Sequence, residues 1–220
     1  MRRVEVLKSV TSANDAIAAQ NRQILDKNRI LAINLMSSPG AGKTSLILKT
    51  IEGLRNELKL AVIEGDVASK IDADKIDKQG IPVVQINTGG SCSLEAQMIT
   101  PALDKLPLEN MDLLFIENVG NLICPAEFAL GEHKKVVISS IPEGDDKPMK
   151  YPLIFTEADA LVINKVDVLP HFEFDLARFR KAVKGLNPKV KVFEVSCKTG
   201  AGIDAWCGWI LTEAKKVGES

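Results

Sequence analysis

The stretch Ser37-Ser38-Pro39-Gly40-Ala41-Gly42-Lys43-Thr44 is the most informative segment of the chain. It follows Ile30–Met36, an apolar run of strand length, and precedes Ser45–Leu58, in which apolar residues recur at helical spacing. A strand, a glycine-rich turn that ends in lysine and threonine, and a helix are typical of a phosphate-binding loop when they occur in this order. The segment therefore predicts a P-loop NTPase rather than a turn with a chance lysine.

The chemistry of this loop suits a nucleotide phosphate. Gly40 and Gly42 allow backbone N–H groups to turn toward phosphate oxygens, and the N-terminus of the following helix adds partial positive charge. Lys43 would reach the β- and γ-phosphates, and Thr44 would ligate Mg²⁺ through its hydroxyl. The residues expected to contact the nucleotide here are Pro39, Gly40, Ala41, Gly42, Lys43, Thr44 and Ser45.

The rest of the chain alternates apolar runs of strand length with helical patterns. This alternation predicts an α/β fold with a mainly parallel sheet flanked by helices, of the G-protein-like P-loop type. In such folds ligands bind beyond the carboxyl ends of the strands. The predicted strands are Ile30–Met36, Leu60–Ile63, Val83–Ile86, Leu113–Ile116, Val136–Ser139, Ala160–Ile163 and Val190–Val195.

The N-terminal residues, 1–29, predict a short helical extension. Ser12-Ala13-Asn14-Asp15 is a helix-start pattern with Ser12 as the N-cap, and helical spacing of apolar residues continues to about Asn28. We expect this helix to cover a face or an edge of the sheet. No linker interrupts the remainder, so residues 1–220 are predicted to form a single domain.

Composition excludes two classes of partner. The chain carries 28 basic and 29 acidic residues and only 5% aromatic residues, which argues against binding to nucleic acid. No apolar run is long enough to cross a membrane, and no apolar signal-peptide core follows Arg2 and Arg3. We therefore expect a cytoplasmic protein whose four cysteines stay reduced.

Two acidic residues end strands at the expected nucleotide edge. Asp66 follows the second strand, and Glu117 ends the run Asp112–Glu117. Either carboxylate could hold Mg²⁺ together with Thr44, directly or through water, although acids at strand ends also serve in turns. Gly120 would place a backbone N–H near the γ-phosphate. Together with Lys43 these two acids are the predicted catalytic residues.

The same region predicts slow hydrolysis. No glutamine or histidine directly follows Gly120 to orient the attacking water, and no arginine lies in the phosphate or switch segments. Asp66 is then the best candidate for positioning the water. Slow turnover would suit a timer better than a metabolic enzyme.

Two segments after later strands predict selectivity for guanine. Asn164-Lys165-Val166-Asp167 follows one apolar strand, and Ser196-Cys197-Lys198-Thr199-Gly200 follows the next. The Asp167 carboxylate would accept hydrogen bonds from guanine N1–H and its exocyclic amine, a donor pair that adenine lacks. Lys165 would lie along the base and Asn164 would brace the loop. GTP and GDP are therefore the expected ligands, with Ser196 and Lys198 in the second base-contacting loop.

From about residue 12 to its end the chain resembles the GTPases that insert nickel into nickel–iron hydrogenase, the family of hydrogenase accessory protein B. In that family Ser37 is a normal replacement for the first glycine of the phosphate loop. Relatives that mature urease share the core but differ through 121–128. The segments that carry the resemblance are 35–44, Val62-Ile63-Glu64-Gly65-Asp66, Phe115-Ile116-Glu117-Asn118-Val119-Gly120-Asn121-Leu122-Ile123-Cys124-Pro125-Ala126-Glu127-Phe128, Leu130-Gly131-Glu132-His133 and Glu143-Gly144-Asp145-Asp146-Lys147-Pro148.

The resemblance implies a GTP-dependent homodimer with a metal site at its interface, working with nickel-delivery accessory proteins on a nickel-enzyme precursor. Members of the family have Cys-His at the first metal segment, often with another histidine four residues after the first. Here Cys92 is kept, but Ser93 and Gln97 replace the two histidines. Cys124 is kept at the second segment. These losses leave room for a target other than hydrogenase.

The remaining metal chemistry is two thiolates per chain, with His133 as a possible neighbour and His171 a less favoured one. Two chains that meet at Cys92 and Cys124 would supply four sulfurs, a set that suits Zn²⁺ or a thiolate-rich Ni²⁺ site. The alternative is that both cysteines are small buried residues. Two rival functions remain open at this point: a kinase or metabolic NTPase on the same fold, and a guanine-nucleotide-dependent scaffold without metal.

Overall fold

One parallel sheet organises the molecule. A computed structural model describes residues 6–66 and 71–219 of the chain. Its 7-stranded sheet has the order β3-β2-β4-β1-β5-β6-β7, and every pairing in it is parallel. The strands are β1 (Leu31–Ser37), β2 (Leu60–Asp66), β3 (Val83–Asn87), β4 (Leu113–Glu117), β5 (Lys134–Ser140), β6 (Ala160–Asn164) and β7 (Lys191–Glu194).

Helices cover both faces of the sheet. None of them, within the described ranges, is long and apolar enough to cross a membrane. Short 3₁₀ segments lie at Leu108–Asn110, Ile141–Glu143 and Val166–His171. The helices are α1 (Val6–Lys27), α2 (Lys43–Leu54), α3 (Ile71–Asp77), α4 (Ala96–Leu103), α5 (Cys124–Glu127), α6 (Lys147–Lys150), α7 (Pro152–Glu157), α8 (Leu176–Leu186) and α9 (Ile203–Gly218).

The core is built from the apolar strands and the helices that pack on them. On one face α2 and α9 meet, and the indole of the fully buried Trp206 donates a hydrogen bond of 2.9 Å to Thr50. On the other face Leu25 of α1 packs with Ile99 of α4 and Ile116 of β4. The central strands are mainly apolar and buried on both faces, and Asn34 in the middle of β1 is a buried polar exception.

The sequence-based prediction of the sheet is confirmed. All seven predicted strands are present, and the pairings are parallel throughout rather than mainly so. The strands β2 and β4 reach Asp66 and Glu117 themselves, which places both acids at the carboxyl edge. The helix predicted after the phosphate loop, Ser45–Leu58, is shorter than expected. It corresponds to α2, which begins at Lys43 and ends at Leu54.

The start of the N-terminal helix was predicted wrongly. The helix α1 begins at Val6, and Ser12 lies within it. No proline or glycine stands between these two residues, so nothing in the chain stops the helix from extending past the apparent cap. The predicted end near Asn28 is confirmed, as is the position of the helix over a sheet face. Residues 1–5 of the predicted extension lie outside the described residues.

Candidate nucleotide and metal sites

The phosphate loop joins the end of β1 to the start of α2. Gly40 (φ +77°) and Gly42 (φ +104°) have left-handed backbone conformations that favour glycine. A Cβ atom on Gly42 would also stand 2.4 Å from the side-chain nitrogen of Asn164, so no larger residue fits. The Lys43 ammonium donates a hydrogen bond of 3.3 Å to the Ser37 hydroxyl. The loop is thus already folded around the N-terminus of α2, where a phosphate is favoured.

The predicted magnesium ligands converge beside this loop. The Thr44 hydroxyl donates a hydrogen bond of 2.8 Å to Oε1 of Glu117. In the pairing of β4 with β2, Glu117 lies opposite Glu64, and Glu64 is two residues before Asp66. Glu64, Asp66 and Glu117 line a cavity of about 290 Å³. Its lining is Pro39, Gly40, Lys43, Glu64, Gly65, Asp66, Asp72, Glu117, Asn118, Val119 and Gly120.

This cavity contains buried carboxyl groups that its own contacts do not satisfy. Glu64 and Glu117 are buried, and Oε2 of each has no hydrogen-bond partner within the described part of the chain. Burial, then the carboxylates of Glu117 and Asp66, raise the pKa of Glu64 to about 8. Burial also raises the pKa of Glu117 to about 7, against the opposing effects of Lys43 and Thr44. Orphaned carboxylate oxygens are the donors that Mg²⁺ prefers, so these residues fit the ion.

Sequence reasoning missed two members of this cavity, Glu64 and Asp72. The sequence did contain an indication of Glu64. It is an acid directly after the apolar run Leu60–Ile63, on the side of Asp66. Asp72 lies in the first turn of α3, and nothing in its sequence context connected it with the phosphate loop.

Gly120 brings the segment after β4 against the phosphate loop. A Cβ atom at this position would stand 3.0 Å from Cα of Pro39, which is tighter than ordinary contacts. The close approach places the backbone of 118–120 at the rim of the cavity where a γ-phosphate would lie. A shift of the phosphate loop or of its ligand would therefore displace this segment as well.

The predicted base-binding residues form a second cavity on the other side of Gly42. Asn164 donates a hydrogen bond of 2.9 Å to the carbonyl of Ala41. Lys165, in a left-handed conformation (φ +62°), donates one of 2.7 Å to the carbonyl of Gly40. Asp167 accepts one of 2.6 Å from the Ser196 hydroxyl. The cavity of about 340 Å³ is lined by Gly42, Ser45, Asn164, Lys165, Asp167, Val168, Cys197 and Lys198.

The two predicted metal-binding cysteines lie together. Cys92, in the loop after β3, is exposed, and Cys124, at the start of α5, is partly exposed. The neighbouring thiol of Cys92, followed by burial, raises the pKa of Cys124 to about 11. The Asn121 amide also contacts the Cys124 sulfur at 3.6 Å. The exposure of Cys92 argues against a purely structural role in the core.

One chain does not complete this site. No cluster of three or more Cys, His, Asp or Glu side chains with metal-binding geometry occurs among residues 6–66 and 71–219. Ser93 is buried, and Gln97 is exposed and donates to Glu95 over 2.8 Å. Two thiols alone rarely satisfy a transition metal, so a metal bound at this pair would need further ligands beyond those that the described residues bring together.

The expectation that His133 could neighbour these cysteines is wrong. His133 precedes β5, so it lies at the amino edge of the sheet, opposite the nucleotide edge. Its Nδ1 accepts a hydrogen bond of 3.0 Å from the amide of Ala32, and its Nε2 lies 2.8 Å from Asp26 of α1. Both ring nitrogens are therefore engaged. His171 is exposed at the end of a 3₁₀ segment and lines neither cavity.

Comparison with known proteins places the chain in a family. Residues 31–194 match the model of the CobW/HypB/UreG nucleotide-binding domain. The chain is 44% identical over 213 residues to hydrogenase maturation factor HypB of Rhizobium leguminosarum bv. viciae, covering 97% of this chain and 71% of that protein.

Two solved structures are also similar. HypB from Archaeoglobus fulgidus superposes with a TM-score of 0.87 at 41% identity, over 92% of this chain and 99% of that one. HypB from Helicobacter pylori in complex with nickel superposes with a TM-score of 0.88 at 38% identity, over 93% and 96% of the two chains. The protein belongs to the HypB family of hydrogenase maturation factors, within the CobW/HypB/UreG group of P-loop nucleotide-binding proteins.

Proposed function

We propose that this protein is a GTP-binding and GTP-hydrolysing metallochaperone that couples nucleotide-dependent dimerisation to nickel delivery for the maturation of nickel–iron hydrogenase. The observation that carries the proposal is the position of the thiol pair. Cys124 lies seven residues after Glu117, on a segment whose Gly120 contacts the phosphate loop. The nickel complex of a HypB protein with 38% identity supports the choice of metal. In this proposal residues 1–220 act as one GTPase domain in the cytoplasm.

Recognition of guanine rests on Asp167. The Ser196 hydroxyl holds Oδ1 of this carboxylate, and Asn164 fixes the loop by accepting from the backbone of Lys165 and of Cys197. A carboxylate held in this way would meet the N1–H and amine of guanine without reorganising. Adenine would leave it unpaired, which is the basis of strong discrimination in polar sites. Lys165 and Lys198 line the same cavity and would contact the base and its surroundings.

Hydrolysis transfers the γ-phosphoryl group of GTP to water. The water oxygen forms a bond to the γ-phosphorus as the bond to the β–γ bridging oxygen breaks, which yields GDP and phosphate. Lys43 and the loop amides stabilise charge on the phosphate oxygens. Thr44 and Glu117 would hold Mg²⁺, which supplies further charge stabilisation when bound, and Asp66 would orient the water. No arginine lines either described cavity, so we expect slow turnover.

The dimer would complete the metal site. Two chains related by a two-fold axis would bring Cys92 and Cys124 from each side together, giving four thiolates for Ni²⁺ or Zn²⁺. Next to Cys124, Ile123 is a large apolar side chain that is 56% exposed, which would be covered by such a contact. Accessory proteins would load the metal, and a nickel-enzyme precursor would receive it.

A second target has specific support. Ser93 and Gln97 stand where the resemblance places histidines, so the ligand set of this chain is its own. Nickel delivery to another metalloenzyme therefore remains a candidate on the same mechanism. A P-loop kinase without metal function is less well supported, because it gives the neighbouring thiols of Cys92 and Cys124 no role.

The test is a titration of Ni²⁺ and Zn²⁺ into the purified protein, with GDP and with a non-hydrolysable GTP analogue, and with the mass measured by light scattering. We expect the GTP analogue to give a dimer that binds metal more tightly than the GDP form. Cys92→Ser and Cys124→Ser should each abolish the gain, while Cys207→Ser, a cysteine far from the pair, should not. A monomer of unchanged metal affinity in both nucleotide states would contradict the proposal.

A further inference from the structure

A buried amide side chain joins the nucleotide edge to the cysteine loop. Asn118, directly after β4, is 1% exposed. Its Oδ1 accepts two hydrogen bonds, one of 2.9 Å from the amide of Val119 and one of 3.0 Å from the amide of Leu94. Its Nδ2 donates one of 3.2 Å to Asn34 in the central strand β1. One oxygen is therefore shared between the segment that leads to Gly120 and the loop that carries Cys92.

Leu94 is also held from the other side. Its side chain is fully buried, and a Cβ atom on Gly65 would stand 2.7 Å from its Cγ. Leu94 thus packs directly on the end of β2, next to Asp66. The backbone amide of Leu94 is hydrogen-bonded to the segment after Glu117, and its side chain packs on the strand that ends in Asp66. Both ends of this contact adjoin candidate ligands of Mg²⁺.

Cys124 is connected to the same point through the chain. It lies six residues after Asn118, and the Asn121 amide between them contacts its sulfur at 3.6 Å. Cys92 lies two residues before Leu94. The relative position of the two sulfurs therefore depends on the hydrogen bond that joins Asn118 to Leu94.

We propose that Asn118 is the positioning residue that transmits nucleotide state to the pair Cys92 and Cys124. The inference rests on the proposed function and names the side chain through which it operates. When a γ-phosphate arrives, the Val119 peptide moves with Gly120, as switch segments of GTPases do. Because Oδ1 of Asn118 bonds both amides, the Leu94 amide and the Cys92 loop move with it. Metal affinity then differs between the two nucleotide states.

The test compares Asn118→Ser with Asn14→Ser. A serine hydroxyl at position 118 still reaches the next amide, but it is too short to reach Leu94. Asn14 is a matched control, since its Oδ1 accepts a hydrogen bond of 2.9 Å from the amide of Ala96, the first residue of α4, which directly follows this loop. It is also buried and has no hydrogen bond to residues 118–120. For each protein the Kd of Ni²⁺ is measured with GDP and with the GTP analogue, alongside the Kd of the analogue itself.

We expect the native protein and Asn14→Ser to bind Ni²⁺ about tenfold more tightly with the GTP analogue than with GDP, in the usual range of coupling between sites. In Asn118→Ser this ratio should fall to about 1, with each nucleotide supplied at a saturating concentration so that a change in its own Kd does not enter the comparison. A ratio near that of the native protein in Asn118→Ser would overturn the inference alone. A ratio of 1 in the native protein would instead overturn the proposed function and the inference with it.

Hydrogen–deuterium exchange of the native protein tests the same link without a variant, should Asn118→Ser fail to fold. The amides of Leu94 and Val119 share one acceptor, so their protection should change together when GDP is replaced by the GTP analogue. A change at Val119 with constant protection at Leu94 would overturn the inference.

Discussion

The base-binding side and the cation-binding side of the nucleotide cavity are built on different principles. On the base side, Asn164 and Asp167 are held by hydrogen bonds within the protein. On the cation side, Glu64 and Glu117 are buried with one oxygen each that lacks a hydrogen-bond partner in the described structure. The base side is complete without its ligand, and the cation side is not.

This difference assigns selectivity and switching to separate regions. A preformed carboxylate selects its base with little rearrangement. It therefore discriminates between guanine and adenine but does not move the neighbouring segments. A site that lacks a counter-charge changes its energy when Mg²⁺ and the γ-phosphate arrive, so it can bias a neighbouring segment. The segment that neighbours Glu117 contains Gly120 and leads to Cys124. We therefore expect substitutions on the two sides to differ in kind.

The largest effect is expected for Glu117→Gln. Loss of the charge should lower GTP hydrolysis by about 100-fold, since a bound metal ion contributes several kcal/mol to stabilisation of phosphoryl transfer. The ligand-free protein should at the same time become more stable, because a buried charge is removed. Hydrolysis is measured by phosphate release and stability by urea unfolding. If stability also fell, the cation side would not be short of positive charge, and the comparison would fail.

A smaller effect is expected for Asp167→Asn on the base side. The amide would place a donor against a guanine donor, and GTP affinity should fall by about 1–3 kcal/mol, the cost of an unsatisfied buried polar group. Hydrolysis at saturating GTP should change little, in contrast to Glu117→Gln. Calorimetry with GTP and ATP measures the effect, with Asp204→Asn on α9 as the control. Equal affinity of the native protein for ATP and GTP would contradict the assignment.

A third difference between the two sides is the pH dependence of stability. The pKa values of Glu64 and Glu117 rise from 4.5 to about 8 and about 7 in the folded protein. In the window from 4.5 to about 8 the folded protein keeps protons that the unfolded chain has released. The free energy of unfolding of the ligand-free protein should therefore fall as pH rises, by up to about 1.4 kcal/mol per pH unit for each retained proton.

Urea unfolding at about pH 5 and about pH 8 measures this loss. The double variant Glu64→Gln and Glu117→Gln is the reference, because it removes both groups and leaves the background titration of the remaining residues. The native protein should lose more stability than the double variant across this range, and Mg²⁺ with nucleotide should reduce the difference. Parallel pH profiles of the two proteins would contradict the pKa shifts.

Much of this site could be predicted from the sequence, because its parts are local. The strand, loop and helix around Gly42 are contiguous, and the end of each apolar run marks the carboxyl edge where Asp66, Glu117 and Asp167 lie. The placement of His133 could also have been predicted, since a residue that precedes a parallel strand lies at the opposite edge. Its position in a motif shared with the family obscured this simple rule.

Other features depend on contacts between distant segments. The hydrogen bond from Leu94 to Asn118 and the packing of Leu94 on Gly65 join the loop after β3 to the segment after β4 and to β2 itself, and no spacing in the sequence indicates them. The orphaned oxygen of Glu64 follows from its pairing opposite Glu117. The extension of α1 to Val6 goes past the local cap pattern at Ser12, because no proline or glycine between them stops the helix.

The central claim is that the nucleotide site and the thiol pair are thermodynamically coupled, and reciprocity gives its most direct test. The Kd of the GTP analogue and the Kd of GDP are measured for the native protein without metal and with saturating Ni²⁺. If the GTP state binds Ni²⁺ about tenfold more tightly than the GDP state, Ni²⁺ must raise the ratio of the GDP Kd to the analogue Kd by the same factor. A ratio that is unchanged by Ni²⁺ would contradict the account.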